Sequence, residues 1–177
     1  MIEYFHKMGV TAYPLSFCSV IFLAILLERT LFYIQFSSKN NEVLRALKSK
    51  LKEHSGKPKV IRDELVSVLV SEQQVALYSG HKWLRLIGLL TPLLGLFGTI
   101  IGLIAAFVKI ADSTGAVNPS LVADGLYLAM LTTAYGLAIA LPALFFASIF
   151  KFIADSFLED ILKDLNRYSL EIEGVKI

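Results

Sequence analysis

A chain of 177 residues with 55% hydrophobic and only 18% charged side chains is too apolar for an ordinary water-soluble domain of that length. Its net charge of +2 points to no class of partner, and its single cysteine, Cys18, excludes a disulfide framework and a thiolate metal site. What informs is where the charges stand.

Residues 1–36 read as an outer N-terminal segment and a first transmembrane helix. The apolar run Val10–Leu27 ends at Glu28-Arg29 and continues into Leu31, Phe32, Ile34 and Phe36. A cleavable signal peptide would need a basic start and a small-residue cleavage site. Here Glu3 and Lys7 offset each other and Leu26-Leu27-Glu28-Arg29 is a poor site, so an uncleaved helix is expected. Residues 37–85 read as a cytoplasmic helical loop. Val43, Leu44, Leu47 and Leu51 recur at helical spacing, as do Leu65, Val68, Leu69, Val75 and Leu77, with His54-Ser55-Gly56-Lys57-Pro58 as the turn between them. Lys48, Lys50, Lys52, Lys57 and Lys59 lack interleaved aromatics and read as a solvated face, not a nucleic-acid surface.

The second span, 86–108, and the third, 125–150, contain no Asp, Glu, Lys, Arg or His, and each exceeds the roughly 20 residues needed to cross a bilayer. Between them, 109–124 is a short outer loop. Asp112-Ser113-Thr114-Gly115 forms its turn, Asn118 serves as N-cap and Pro119 takes the first helical position. Residues 151–177 continue as a cytoplasmic C-terminal helix along the stripe Phe152, Ile153, Phe157, Ile161, Leu165 and Tyr168. Spans two and three are thus expected to run on as long helices into the cytoplasm.

Lysine and arginine counts set the orientation. Eleven lie from Arg29 to Arg85 and four after Phe150, against Lys7 before the first span and Lys109 in the outer loop. Basic residues stay cytoplasmic, so the expectation is an all-α membrane protein with three transmembrane helices, N-terminus out and C-terminus in, with helical cytoplasmic extensions.

Spans two and three share a design. Gly88, Pro92, Gly95, Thr99, Gly102 and Ala106 fall on one face of the second, with Ile87, Leu90, Leu94, Phe97, Ile101 and Ile104 opposite. Ala129, Thr133, Gly136, Ala140, Ala143 and Ala147 do the same on the third. Small residues let helix backbones approach closely in lipid, so Gly88, Gly95, Gly98, Gly102, Gly136 and Ala140 are expected to pack helices, with the smooth faces turned inward in a homo-oligomeric ring. Pro92 and Pro142 remove a backbone donor within each span and are expected to kink it. At 1.5 Å per residue, Thr99 lies ~13 Å inside the outer end of its span and Thr133 ~12 Å below the start of its own. Two hydroxyls at one depth suit a polar lining, although a threonine in a buried helix also commonly bonds its own preceding carbonyl.

Neither span offers an Asp, Glu, Lys, Arg or His, one of which an ion pathway normally carries. A proton route therefore needs a carboxylate from another polypeptide. His6, His54 and His81 show no ligand spacing, and no nucleophile–base set or phosphate loop occurs, so neither catalysis nor a metal or cofactor is expected.

Three segments, Thr91-Pro92-Leu93-Leu94-Gly95-Leu96-Phe97-Gly98-Thr99-Ile100-Ile101-Gly102, Asn118-Pro119-Ser120-Leu121-Val122-Ala123-Asp124-Gly125 and Leu131-Thr132-Thr133-Ala134-Tyr135-Gly136-Leu137-Ala138-Ile139-Ala140-Leu141-Pro142-Ala143, resemble the MotA/TolQ/ExbB proton-channel family, and more loosely so does Leu27-Glu28-Arg29. Three spans resemble the ExbB and TolQ branch rather than the four-span flagellar one. The resemblance implies a pentamer in the bacterial inner membrane around single-span ExbD- or TolR-like partners, each bearing an essential transmembrane Asp. It further implies that proton flow past that Asp does work on the outer membrane through a TonB- or TolA-like transducer. By motif match Thr99 and Thr133 take the places of the family's pore-lining threonines. One departure stands out: the Glu that ExbB and TolQ carry five residues before the second threonine is Leu128 here. A non-conducting scaffold, and a stator-like motor of the same family with a different load, are the competing readings.

Overall fold

The computed structural model describes residues 12–112 and 119–173. Three helices account for nearly all of it: α1, Ala12–Glu53; α2, Lys59–Ala111; and α3, Pro119–Ile172. The first begins with Pro14 in its opening turn, where a missing amide donor costs little. It stops at the turn carrying Gly56 and Pro58, where His54 and Ser55 donate back to the carbonyls of Leu51 and Lys52. Pro58 then offers its carbonyl to the amides of Ile61 and Arg62 as α2 begins. α3 starts at Pro119, whose fixed φ suits a first helical position. The expected cap Asn118, the turn residues Ser113-Thr114-Gly115, and Glu3, His6, Lys7 and Val10 lie outside the described residues.

All three helices are long and apolar enough to cross a membrane. α2 and α3 run on past their apolar stretches into amphipathic ones, and α1 does so too. The division drawn at residue 36 is not a structural break, because nothing between Phe36 and Glu53 interrupts helical backbone bonding.

The chain divides into two compact units. The first takes the stretch up to Leu26 with Trp83–Ala147. Its interior holds Leu15, Phe22, Leu84 and Ile87 beside a row of buried alanines from Ala129 to Ala147. The second unit takes Leu27–Lys82 with the chain from Ser148. Its core is the cluster Leu47, Leu51, Val66, Leu69, Ile161 and Leu165, one pair from each helix. Full burial of each such side chain is worth ~1.5–3 kcal/mol. Polar ties join the same three helices. The Tyr33 hydroxyl donates to the Leu77 carbonyl at 2.9 Å and lies 3.2 Å from that of Phe150, with the two rings stacked at 5.2 Å. Buried Arg29 donates to the Ala76 carbonyl at 3.2 Å, to the Ser79 hydroxyl and to the Glu28 carboxylate, and sits over the Phe32 ring. Gly80 lies directly beside it, and a Cβ there would make the Arg29 side chain shift. At the far end Arg62, almost wholly buried, pairs with Glu173 at 2.6 Å.

Candidate functional site

The site grows from the glycines and alanines of α2 and α3 in the first unit. A Cβ at Gly95 would stand 3.0 Å from the Thr132 carbonyl oxygen and 3.1 Å from the Thr133 Cα. One at Gly136 would stand 2.7 Å from the Thr91 carbonyl oxygen and 3.2 Å from the Gly95 Cα. One at Gly102 would meet Ala129 at 3.3 Å, and one at Gly88 would meet the Leu144 side chain. The two small-residue faces therefore close on each other within one chain, backbone nearly against backbone. Ala140 is buried on the same face of α3. The face expected to turn toward a ring interior is covered by the neighbouring helix of the same chain, because antiparallel α2 and α3 already supply the close partner that small residues favour in lipid.

The expected small-residue face of α3 is buried at Ala129, Gly136, Ala140, Ala143 and Ala147, and that of α2 at Gly88, Gly95 and Ala106, with Ile87, Thr91 and Thr132 added at its edge. Ile87, expected on the large-residue side, is buried. Thr91 and Thr132 stand in the seam, at 0% and 2% exposure, while Thr99 and Thr133 flank it half-buried. Thr132 was not singled out because positions three and four before Gly136 fit the spacing equally well. Extending Gly95, Gly98 and Gly102 backward by four would have found Thr91. Pro92 and Pro142 sit inside α2 and α3, and each deprives the carbonyl four residues earlier, on Gly88 and Ala138, of its usual amide donor.

Four hydroxyls occupy this region and three are spent locally. Thr91 donates to the Ile87 carbonyl at 2.8 Å, Thr99 to that of Leu96 at 2.6 Å, and Thr132 to that of Ala129 at 2.8 Å with the Gly95 carbonyl also near at 3.3 Å. Thr133 is the exception: its Oγ1 is buried and, among the described residues, has no hydrogen-bond partner. A buried hydroxyl left unsatisfied carries a desolvation cost of about 1–3 kcal/mol, so this oxygen favours a donor or acceptor from elsewhere. Because Gly98 lies against the Thr132 side chain, the next residues along, Thr99 and Thr133, stand within a turn of one level. Leu128 is half-buried, and Asp124 lies exposed one turn earlier. Among the described residues no cluster of His, Cys, Asp or Glu could hold a metal ion.

Comparison with known proteins places these residues in a family context. The sequence model of the MotA/TolQ/ExbB proton channel family matches residues 37–162. The chain is 32% identical to biopolymer transport protein exbB1 of Vibrio cholerae over 97% of its own length and 88% of that relative. It is 30% identical to an ExbB-like biopolymer transport protein of Synechocystis over 81% of each chain. It is 42% identical to biopolymer transport protein ExbB of Salmonella typhimurium over 40% of its own length and 29% of that protein.

Proposed function

The chain belongs to the MotA/TolQ/ExbB proton channel family, and from that premise we propose that it is the channel subunit of an ExbB/TolQ-type motor. It sits in the bacterial inner membrane as a multi-pass protein, N-terminus out and C-terminus in, assembled as a homo-oligomeric, pentameric ring. The ring surrounds an ExbD/TolR-like single-span partner whose transmembrane Asp supplies the carboxylate that these spans lack. Proton flow past that Asp drives a TonB- or TolA-like transducer that energises outer-membrane transport or envelope maintenance. The relatives are named biopolymer transport proteins, which supports the transport load.

The observation that carries the reading is the Thr133 hydroxyl. In a span without Asp, Glu, Lys, Arg or His it is buried, without a hydrogen-bond partner among the described residues, and within a turn of the level of Thr99. A partner carboxylate, or the water that carries its proton, would satisfy it. Valine keeps the shape and removes the donor and acceptor. The double variant Thr99→Val/Thr133→Val should express and associate with the partner normally yet lose proton flux in liposomes reconstituted with both polypeptides, while the chain alone should leak little. A scaffold tolerates both substitutions. Wild-type flux from the double variant would refute the threonine role, and high flux from the chain alone would refute the need for a partner.

A further inference from the structure

In the second unit, α2 carries an open groove of about 470 Å³ lined by Gln74, Val75, Tyr78, Ser79, His81 and Lys82. Its height follows from the polar ties around it. Tyr33 reaches the carbonyls of Leu77 and Phe150, so these three residues share a level. Lys151, the first charge after the third span, follows at once. Phe36, the last apolar residue of the first span, stands three residues beyond Tyr33, ~4.5 Å, and so level with Gln74. In the other direction along α2, the charge-free run begins at Leu86. An edge of the bilayer therefore crosses α2 between Gln74 and Leu86, and the groove occupies that stretch. Trp83 is 60% exposed there, as amphipathic rings are at headgroup level.

The lining is one-sided in its chemistry. Lys82 brings a positive charge, His81 and Gln74 bring N–H donors, and among the described residues no Asp or Glu lines the groove. Its two walls are tied to neighbouring helices. Tyr78 donates to the Asp155 carboxylate of α3, and Ser79 accepts from the Arg29 guanidinium of α1. Gln74 and Lys82 are exposed and, among the described residues, take part in no hydrogen bond or ion pair. They stand ~12 Å apart along the helix, with Val75, 74% exposed, beside Gln74. A cation, two amide- or ring-type donors and an apolar step at a bilayer edge match a phosphate diester attached to a hydroxyl-bearing carbon chain. A zwitterionic headgroup would instead bring a second cation to Lys82.

We propose that this groove binds an anionic phospholipid, its phosphate on Lys82 and His81 and its headgroup laid across Val75 to Gln74. The acyl chains then run toward Leu86, where the apolar surface of α2 begins. The site needs only that the helices cross a membrane. It rests on the orientation proposed above solely for the choice of the inner leaflet, and it stands or falls independently of proton conduction.

The test reconstitutes the full chain in nanodiscs of phosphatidylcholine with a minor share of phosphatidylglycerol, and native mass spectrometry counts the lipids that stay bound. Phosphatidylglycerol should be retained about ten-fold in excess of its supply. Lys82→Gln should lower that preference about five-fold. Gln74→Leu should lower it about three-fold while leaving the net charge unchanged, which separates a shaped site from general attraction to basic residues. Lys50→Gln, in the last turn of α1, is the control and should be silent. In a Cys18→Ser background, Val75→Cys should react with a water-soluble maleimide about three-fold more slowly in discs with phosphatidylglycerol than in phosphatidylcholine alone. No preference for phosphatidylglycerol overturns the proposal. So does a preference lost with Lys82→Gln and untouched by Gln74→Leu, or one that leaves labelling at position 75 unchanged. None of these readouts measures proton flux, so failure of the channel reading would not be mistaken for failure of the site.

Discussion

Gly136→Ala is the smallest lesion that tests the α2–α3 seam. The added methyl would stand 2.7 Å from the Thr91 carbonyl oxygen and 3.2 Å from the Gly95 Cα, and Thr91 and Gly95 offer backbone there that no rotamer change can withdraw. Ordinary carbon contacts lie at about 3.5–4.0 Å, so the helices must part by roughly 0.5–0.8 Å, enough to forfeit a quarter to a half of the dispersion energy at neighbouring contacts. Overpacking of this kind costs ~1–3 kcal/mol. Alanine returns up to ~1 kcal/mol through its better helix propensity, so the net loss is ~1–2 kcal/mol. Gly56→Ala is the control: nothing lies within 4 Å of its Cβ position, and it should be neutral or stabilise by ~0.4–1 kcal/mol. Equilibrium unfolding of purified monomer in mixed micelles reads both. The seam is internal to one chain, so the loss should already be present in the monomer. A Gly136→Ala monomer as stable as the wild type would refute the packing described here.

The threonines next to each other on α3 should respond with opposite sign in the same assay. Thr132→Val loses its bond to Ala129 and should cost about 0.6 kcal/mol, whereas Thr133→Val removes an unpaired buried hydroxyl and should be neutral or stabilising by up to ~1 kcal/mol. Equal destabilisation would show that Thr133 has a partner within the chain. Arg62→Met should cost about 1–2 kcal/mol, below the range for a fully buried pair because Glu173 keeps a third of its surface in water, and hydrogen exchange should rise first at the start of α2 and the end of α3. Glu159 is held below the usual carboxylate range by the hydrogen bond and charge of Lys163. Its small contribution is therefore present at neutral pH and lost as pH falls through the lowered value, and Lys163→Gln should move its NMR titration upward.

Much of this architecture could be read before the structure. The lengths of the two charge-free runs, the Gly56-Pro58 turn and the recurrence of Leu47, Leu51, Ile161 and Leu165 all rest on strong, redundant signals. Rotation about each helix axis was harder. A face defined by small residues at spacings of three and four admits two solutions one residue apart, 100° around the helix, and only the contact of Gly98 with the Thr132 side chain decides between Thr132 and Thr133. The continuity of α1 was hidden because its polarity changes at Glu28-Arg29 while its backbone does not. The grip of Tyr33 on two other helices was beyond reach, since no local pattern says where a tyrosine hydroxyl will find a carbonyl.

The closeness of the seam has an electrical consequence. Positions Gly88, Gly95, Gly98, Gly102 and Gly136 lack room for a methyl group without displacing neighbouring atoms, and a water molecule needs a polar cavity of at least ~10–15 Å³ of probe-occupied volume. Thr91 and Thr132, the hydroxyls inside, are committed to carbonyls of their own helices. A single subunit is thus an insulator along its tightest internal contact, with no hydrogen-bonded wire for a proton to follow. In the proposed channel the current therefore runs along the flank where Thr99 and Thr133 lie, and on that reading the membrane stays sealed until another surface completes the circuit.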